Sequence, residues 1–165
     1  IKQLNPSVEF AIGLAPSFDK DEIQKKFNTE NCKIVSSDPL KLLECSYVNM
    51  VTSGTISLQS TFMNTPCVVG YKLSVLSWYI SKLLITIDYI SMTNIIADEM
   101  VLPELIQINL TPINLANAIN KFLDDEEYYK KTKQDMLNIK NIFTEKHDAM
   151  NNVALFIENN INAKN

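Results

Sequence analysis

Short apolar segments alternate with helix-like segments through the first half of the chain, and this alternation constrains the fold more than any other feature. The apolar segments predict strands at residues 8–15, 33–36, 47–52 and 67–71, and the segments between them predict helices at residues 19–28, 40–45 and 54–63. Continuous apolar strands are buried on both faces, and short helical connections join such strands in parallel through right-handed crossovers. The sequence therefore predicts an α/β fold with a Rossmann-like parallel sheet flanked by helices.

Polar residues and prolines mark where several helices begin. Ser17 is the predicted N-cap of the helix at residues 19–28, Asp38 with Pro39 introduces the helix at residues 40–45, and Thr111 caps the helix at residues 112–123. From there the pattern is helical, with apolar stripes at Leu115, Ile119 and Phe122, at Tyr129, Thr132, Met136, Ile139 and Phe143, and at Met150, Val153, Ile157 and Ile161. We expect a Rossmann-like domain at residues 1–110 and C-terminal helices at residues 111–165 that pack on it.

Residues 73–84 form one further helical segment, which has two interpretations. Leu73, Leu76, Ile80 and Leu83 lie on one stripe, and this favours a helix in the core or at a subunit interface. Trp78 lies beside the stripe, as in elements that meet acyl chains or a membrane surface, so the second interpretation stays open.

Charge excludes one class of partner. The basic residues are 15 lysines against 19 acidic residues, which gives a net charge of −4. A basic face for nucleic acid is therefore not expected. The acidic run at residues 124–127 precedes Lys130 and predicts the first turn of a helix rather than a metal site.

Cysteine and histidine usage argues against a metal or nucleophilic centre. Cys32, Cys45 and Cys67 lie in apolar surroundings without C-x-x-C spacing, which predicts free thiols in a reducing compartment. Cys67 falls in a strand-like run, so we interpret it as a core residue. His147 is the single histidine, and no cofactor or metal is expected.

A glycine-containing corner follows the apolar segment at residues 47–52. The chain has no G-x-G-x-x-G pattern, so a dinucleotide fingerprint is absent. Instead, Ser53, Gly54 and Thr55 precede a helix, where free backbone N–H groups favour a phosphate and glycine lets the backbone approach it. On these residues alone, an ordinary N-cap turn is favoured over a phosphate site.

The corner belongs to an ordered series of short motifs. The series runs Ser53-Gly54-Thr55, Pro66-Cys67-Val68-Val69-Gly70-Tyr71-Lys72, Tyr89-Ile90-Ser91, Asn94-Ile95-Ile96-Ala97 and Pro103-Glu104-Leu105-Ile106-Gln107. In order and spacing it resembles the C-terminal, donor-binding half of lipid-A-disaccharide synthases, which are glycosyltransferases with the two-domain GT-B fold. The resemblance covers residues 47–116, with looser similarity to the end of the chain.

The resemblance implies a site for the donor nucleotide. The corner at residues 53–55 would face the diphosphate, and Gln59 would meet the ribose at a position where the family usually has Glu. The remaining implied site residues are Tyr71, Lys72, Asn94, Glu104 and Gln107. Asn94 falls in a family Leu-Pro-Asn stretch that here reads Met92-Thr93-Asn94, and residues 103–107 match a family loop near the domain cleft. Asp98 replaces a glycine common in the family.

The resemblance also implies the reaction. Such enzymes transfer 2,3-diacylglucosamine from its UDP donor to 2,3-diacylglucosamine 1-phosphate in lipid A biosynthesis, with inversion, in the cytoplasm at the inner-membrane surface. The general base of the family lies in an N-terminal domain, and a phosphate loop with the first strand precedes residue 1. Residues 1–4 resemble the end of an amphipathic helix that Pro6 stops, so we expect the chain to begin inside a fold.

Two alternatives remain open, as does a homodimer. One is another UDP-sugar GT-B enzyme, such as the peptidoglycan N-acetylglucosaminyltransferase, which uses more glycines in its phosphate loops. The other is a non-catalytic interaction module built on residues 73–84 and the terminal helices. A phosphate corner at the end of a strand has no purpose in such a module, so the corner at residues 53–59 discriminates against it.

Overall fold

Parallel strands and helices alternate in a computed structural model that describes residues 1, 5–15, 17–52, 54–74, 77 and 88–145. The strands are β1 (Phe10–Gly13), β2 (Cys32–Val35), β3 (Asn49–Thr52), β4 (Cys67–Tyr71) and β5 (Glu104–Ile106). The helices are α1 (Lys20–Lys26), α2 (Pro39–Cys45), α3 (Thr55–Phe62), α4 (Met92–Ala97), α5 (Pro112–Asp124) and α6 (Glu126–Glu145). The predicted α/β fold with helices at its C-terminal end is confirmed.

The strands form two parallel sheets. β1 pairs with β2, and the second sheet has the order β3-β4-β5. Thr52 lies opposite Gly70 and Tyr71 lies opposite Ile106, so the carboxyl ends of the three strands in the second sheet are side by side. The parallel pairing predicted from the helical connections is present in both sheets.

Helix starts follow local hydrogen bonding. Asp38 caps α2 and Thr111 caps α5 through side-chain bonds to the N–H groups of Lys41 and Asn114, as predicted. The prediction for α1 was wrong by two residues. Asp19 rather than Ser17 is its N-cap, because the Asp19 carboxylate accepts from two first-turn N–H groups at 2.8 and 3.1 Å.

The core contains polar side chains on α3 that are bonded inside the protein. Ser57, Ser60 and Thr61 are fully buried. The Ser60 hydroxyl donates to the Thr65 carbonyl over 2.7 Å and accepts from the Asn49 amide over 3.1 Å. Buried hydroxyls with such partners avoid the cost of unmet hydrogen bonds, and their small size lets α3 approach β3 and β4 closely.

The C-terminal helices pack on the second sheet through the predicted stripes. Ile119 and Phe122 of α5 are buried with Val68, and Met136 and Ile139 of α6 are buried with the cluster around Val69. The predicted third stripe, at residues 150–161, and most of the helix predicted at residues 73–84 lie outside the described residues.

Two expectations from the sequence were wrong in detail. Residues 103–107 match a family loop, but they contain the strand β5, which pairs with the edge of β4. Three strand residues are too few to show a periodicity in the sequence. Cys45 is exposed rather than in apolar surroundings. It lies two positions after the buried Leu43 on α2, about 200° around the helix from it.

Candidate functional site

The predicted site residues gather at the carboxyl ends of β3, β4 and β5. Gly54 follows β3, Lys72 follows β4 and Gln107 follows β5. Neighbouring strands lie about 4.8 Å apart, so the ends of β3 and β5 are roughly 10 Å apart. The carboxyl edge of a parallel sheet is where α/β folds bind ligands.

Gly54 forms the corner that leads into α3. Its backbone has φ 123° and ψ −153°, a conformation that glycine adopts readily and other residues rarely adopt. Gly54 is also the N-cap of α3, where no side chain makes a capping hydrogen bond. A Cβ atom built at Gly54 would meet nothing within 4 Å, so the corner faces open space. Ser53, the other flank of the predicted corner, lies outside the described residues.

Thr55 and Gln59 lie on one exposed face of α3. Both side chains are exposed, while Ser57 and Ser60 occupy the buried face. The four-residue spacing predicted this shared face, since residues i and i+4 are neighbours on a helix. Both side chains are therefore accessible to a ligand at the corner.

Asn94 is bonded entirely within the protein. Its side chain is fully buried, and Nδ2 donates to the Leu102 carbonyl and to Oε1 of Glu104, each over 2.8 Å. Its Oδ1 accepts from the Leu102 N–H over 2.8 Å. The side chain therefore joins α4 to the segment that leads into β5.

Glu104 holds the turn at the start of α4. Its carboxylate accepts from the N–H groups of Ile90 and Ser91, each over 2.9 Å, besides the bond from Asn94. Hydrogen bonds to an ionised acceptor are the stronger kind. The carboxylate thus fixes the backbone that enters α4 beside the strand ends.

Gln107 connects the ends of β4 and β5. Its backbone has φ 53°, and its side-chain Oε1 accepts from the Leu73 N–H over 3.2 Å. That bond fixes the segment carrying the half-buried Tyr71 and the exposed Lys72. Lys72 is therefore exposed at a fixed position directly after the end of β4.

Two residues named in the motif comparison have structural roles that the motifs did not predict. Ser91 caps α4 by accepting from the Asn94 N–H over 3.3 Å, and Asp98 ends α4 in the left-handed region with φ 55°. A serine three residues before Asn94 is a usable N-cap signal. Asp98 stands where the resemblance has glycine, and the left-handed backbone explains why glycine suits the position.

The thiol of Cys67 has no part in this site. It is fully buried in β4, and burial raises its pKa to about 12, against which a hydrogen bond with Ser60 acts weakly. Such a thiol stays protonated and unreactive. This confirms its interpretation as a core residue.

Among the described residues there is no group of three potential metal ligands and no helix long and apolar enough to cross a membrane.

Parallel strands, helical crossovers and a glycine corner at the carboxyl edge define a Rossmann-like α/β domain. The model of the lipid-A-disaccharide synthetase family matches residues 1–157, so this chain belongs to that family. The family that the motifs predicted is thereby confirmed.

Relatives agree with this membership. The chain is 33% identical over 155 residues to the lipid-A-disaccharide synthase of Haemophilus ducreyi, covering 89% of this chain and 38% of that protein. It is 31% identical to the synthase of Haemophilus influenzae, with 91% and 39% covered, and 30% identical to that of Geobacter sulfurreducens, with 85% and 37% covered. The chain thus spans about two fifths of the length of these relatives.

Proposed function

We propose that this chain is the donor-nucleotide-binding part of an inverting hexosyltransferase of lipid A biosynthesis. The enzyme would transfer 2,3-diacylglucosamine from its UDP donor to 2,3-diacylglucosamine 1-phosphate. Family membership over residues 1–157 carries the proposal, and relatives at about 30% identity bear the name lipid-A-disaccharide synthase. The open glycine corner at the carboxyl edge of the sheet supports a phosphate site there.

The diphosphate of the donor is proposed to bind the first turn of α3. Free N–H groups at the start of a helix favour a negative charge, and the Gly54 conformation leaves space for the phosphate to approach the backbone. The exposed hydroxyl of Thr55 adds a hydrogen-bonding group, and Ser53 would flank the same phosphate. Lys72 offsets the negative charge from the adjacent strand end.

The ribose is proposed to bind the exposed face of α3 at Gln59. Its amide offers an acceptor and donors to hydroxyl groups, without the charge that a glutamate would add. Tyr71 lies at the same edge, where β4 ends. Hydrogen bonds within the protein hold the backbone of this edge in place, and they are made by the side chains of Asn94, Glu104 and Gln107. These side chains would support the loops around the nucleotide.

The remaining chemistry is proposed to come from polypeptide upstream of residue 1. A carboxylate base there would take the proton of the acceptor hydroxyl as its oxygen attacks the anomeric carbon, and UDP would depart from the opposite face. Removing a positioned base costs about 10²–10⁴ in rate, besides the loss of acceptor orientation. The chain alone would therefore be inactive. The whole enzyme would act in the cytoplasm, peripheral to the inner membrane, and the question of a homodimer stays open.

Titration with UDP tests the nucleotide site. We expect a dissociation constant on the order of 1 mM, or about −4 kcal/mol, with amide shifts at Gly54, Thr55 and Gln59.

Gln59→Glu should tighten UDP binding by roughly 1 kcal/mol, because a charged acceptor makes the stronger bond. Gln24→Glu, on the exposed face of α1, adds the same charge away from the site and should leave the affinity unchanged. Shifts confined to α5 and α6 would contradict the site.

An activity assay tests the reaction. Disaccharide formation from UDP-2,3-diacylglucosamine and diacylglucosamine 1-phosphate should appear with the protein extended upstream and not with residues 1–165. Turnover by residues 1–165 would contradict the proposed division of roles and would direct the search for a base to Asp98, Glu99 and Glu104.

A further inference from the structure

A buried serine in the first turn of α3 bonds back to the glycine corner. Ser57 is fully buried, and its hydroxyl donates to the Gly54 carbonyl over 2.8 Å. Serine is a weaker helix former than alanine because its hydroxyl competes for backbone groups, and burying a hydroxyl is costly unless it is bonded. Alanine would occupy nearly the same space without either cost. The bond to Gly54 therefore points to a role for the hydroxyl beyond filling the core.

The Gly54 carbonyl and the Thr55 N–H belong to one peptide unit. This unit is planar and trans, so the carbonyl and the N–H point in opposite directions. At the start of a helix the carbonyl points into the helix and the N–H points out of its end. The Thr55 N–H therefore points toward the corner, where a Cβ atom built at Gly54 would meet nothing within 4 Å. A bond that fixes the carbonyl also fixes the direction of this N–H.

The Ser57 bond replaces the usual way of holding the first turn of a helix. An ordinary N-cap side chain accepts from first-turn N–H groups and so occupies them. Gly54 makes no such bond, and its permissive backbone would let the peptide unit rotate. Ser57 instead holds the turn through a carbonyl. The first turn is thereby anchored while its N–H groups keep their capacity to bind an anion.

Ser57 is itself held by hydroxyl groups of α3 and α4. The Thr61 hydroxyl donates to the Ser57 carbonyl over 3.0 Å, and its oxygen lies 2.8 Å from the hydroxyl oxygen of Thr93. A hydroxyl has a single hydrogen, so Thr93 is the donor to Thr61. All three side chains are buried, and Asn94, next to Thr93, bonds to Glu104 of β5. A continuous series of hydrogen bonds thus links the corner to α4 and to the end of the sheet.

We propose that Ser57 is a positioning residue of the nucleotide site, which directs the Thr55 N–H toward the donor diphosphate. The inference rests on the proposed donor site at the first turn of α3. Ser57 does not touch the donor, since its side chain is fully buried. It acts through the Gly54–Thr55 peptide unit, whose orientation is set before the ligand arrives.

Nuclear magnetic relaxation of the free protein tests the positioning without a ligand. In the wild type the order parameter of the Thr55 N–H should be about 0.85, as for a rigid backbone, and in Ser57→Ala it should fall toward about 0.6. Alanine is smaller than serine and favours the helix, so α3 remains folded in this variant. An order parameter at Thr55 that does not change would overturn the proposal, whatever the protein does with UDP.

Titration with UDP gives the second readout. Ser57→Ala should weaken UDP binding roughly fivefold, because a mobile N–H must be ordered when the diphosphate binds. The amide shift of Thr55 at saturation should also shrink. An unchanged UDP affinity in Ser57→Ala would overturn the proposal even if Thr55 became mobile.

Ser60→Ala is the matched control. Ser60 is an equally buried serine on the same helix, but its hydroxyl bonds Asn49 and the Thr65 carbonyl, away from the corner. Because it makes two hydrogen bonds, its loss should destabilise the protein at least as much as that of Ser57 while leaving Thr55 and the UDP affinity of the folded protein unchanged. Equal weakening in both variants would indicate a general loss of stability and overturn the proposal. A wild type that does not bind UDP would instead contradict the donor site, and a mobile Thr55 in Ser57→Ala would still support the positioning of the peptide.

Discussion

Asn94 donates a hydrogen bond through Nδ2 to Oε1 of Glu104 over 2.8 Å and thereby joins α4 to β5. The same side-chain amide also donates to the carbonyl of Leu102 and accepts from its N–H. Both N–H groups and the oxygen of the amide therefore have hydrogen-bond partners. A carboxamide is the side chain that can both donate to a carboxylate and accept from an N–H at this position. The edge of the candidate site therefore depends on an uncharged residue at 94.

Asn94→Asp should destabilise the protein at neutral pH by about 3 kcal/mol or more, because it places a second carboxylate beside Glu104 in a buried site. The pKa of the introduced carboxyl is raised in the folded state, so the loss is present above that pKa and shrinks as the pH falls through it. Urea unfolding at pH 7.5 and pH 5 measures this. Asn94→Ala is the control, and its loss should not change between the two pH values; equal pH behaviour of both variants would contradict the argument.

Lys140→Met should cost about 1–2 kcal/mol of stability. The Lys140 Nζ donates to the Phe62 carbonyl over 2.9 Å, at the C-terminal end of α3, where a positive charge favours the helix dipole. Chemical unfolding of paired variants measures the loss. Lys130→Met is the matched control, since its ion pair with Glu126 is exposed to solvent and should contribute little to stability. Similar losses for the two variants would refute a specific role for Lys140.

Asp98→Gly should stabilise the protein by about 0.5 kcal/mol, because relief of the left-handed backbone exceeds the added entropy of the unfolded chain. Asp98→Ala should destabilise it by roughly 1 kcal/mol, since alanine retains the steric cost without a polar side chain. Thermal unfolding of both variants gives the comparison. A glycine variant no more stable than the alanine variant would show that the backbone at residue 98 is not strained.

Cys67 should resist thiol reagents at pH 8 while Cys45 reacts. Cys45 is exposed, and burial holds the pKa of Cys67 at about 12, so almost none of it is thiolate in the folded state. Ellman's reagent should give a fast phase that Cys45→Ala removes, and a phase from Cys67 that appears only in denaturant.

The same shift predicts a pH dependence of stability. The pKa of Cys67 is raised in the folded state from 9.0 to about 12, so the unfolded state loses its proton first. Stability is unaffected below pH 9 and falls between pH 9 and pH 12, by up to about 1.4 kcal/mol per pH unit. Cys67→Ala should show a shallower decline over the same range, and parallel curves would count against a buried thiol.

The sequence by itself determined the local elements whose signals are short-range. The helix starts at Asp38 and Thr111 and the bounds of β4 follow from caps, prolines and an apolar run, which act over a few neighbouring residues. The motifs also predicted the family, and the i, i+4 spacing predicted the shared face of Thr55 and Gln59. These features need no knowledge of distant residues.

The tertiary structure alone decided which of the candidate side chains are exposed at the sheet edge and which are bonded within the protein. Asn94 and Glu104 belong to the same motif series as Gly54, yet both are engaged by bonds across α4 and β5, while the corner at Gly54 is open. β5 exists because β4 offers an edge, and no local pattern contains the strand order β3-β4-β5. Pairing and burial depend on residues distant in sequence, so they are fixed only when the chain has folded.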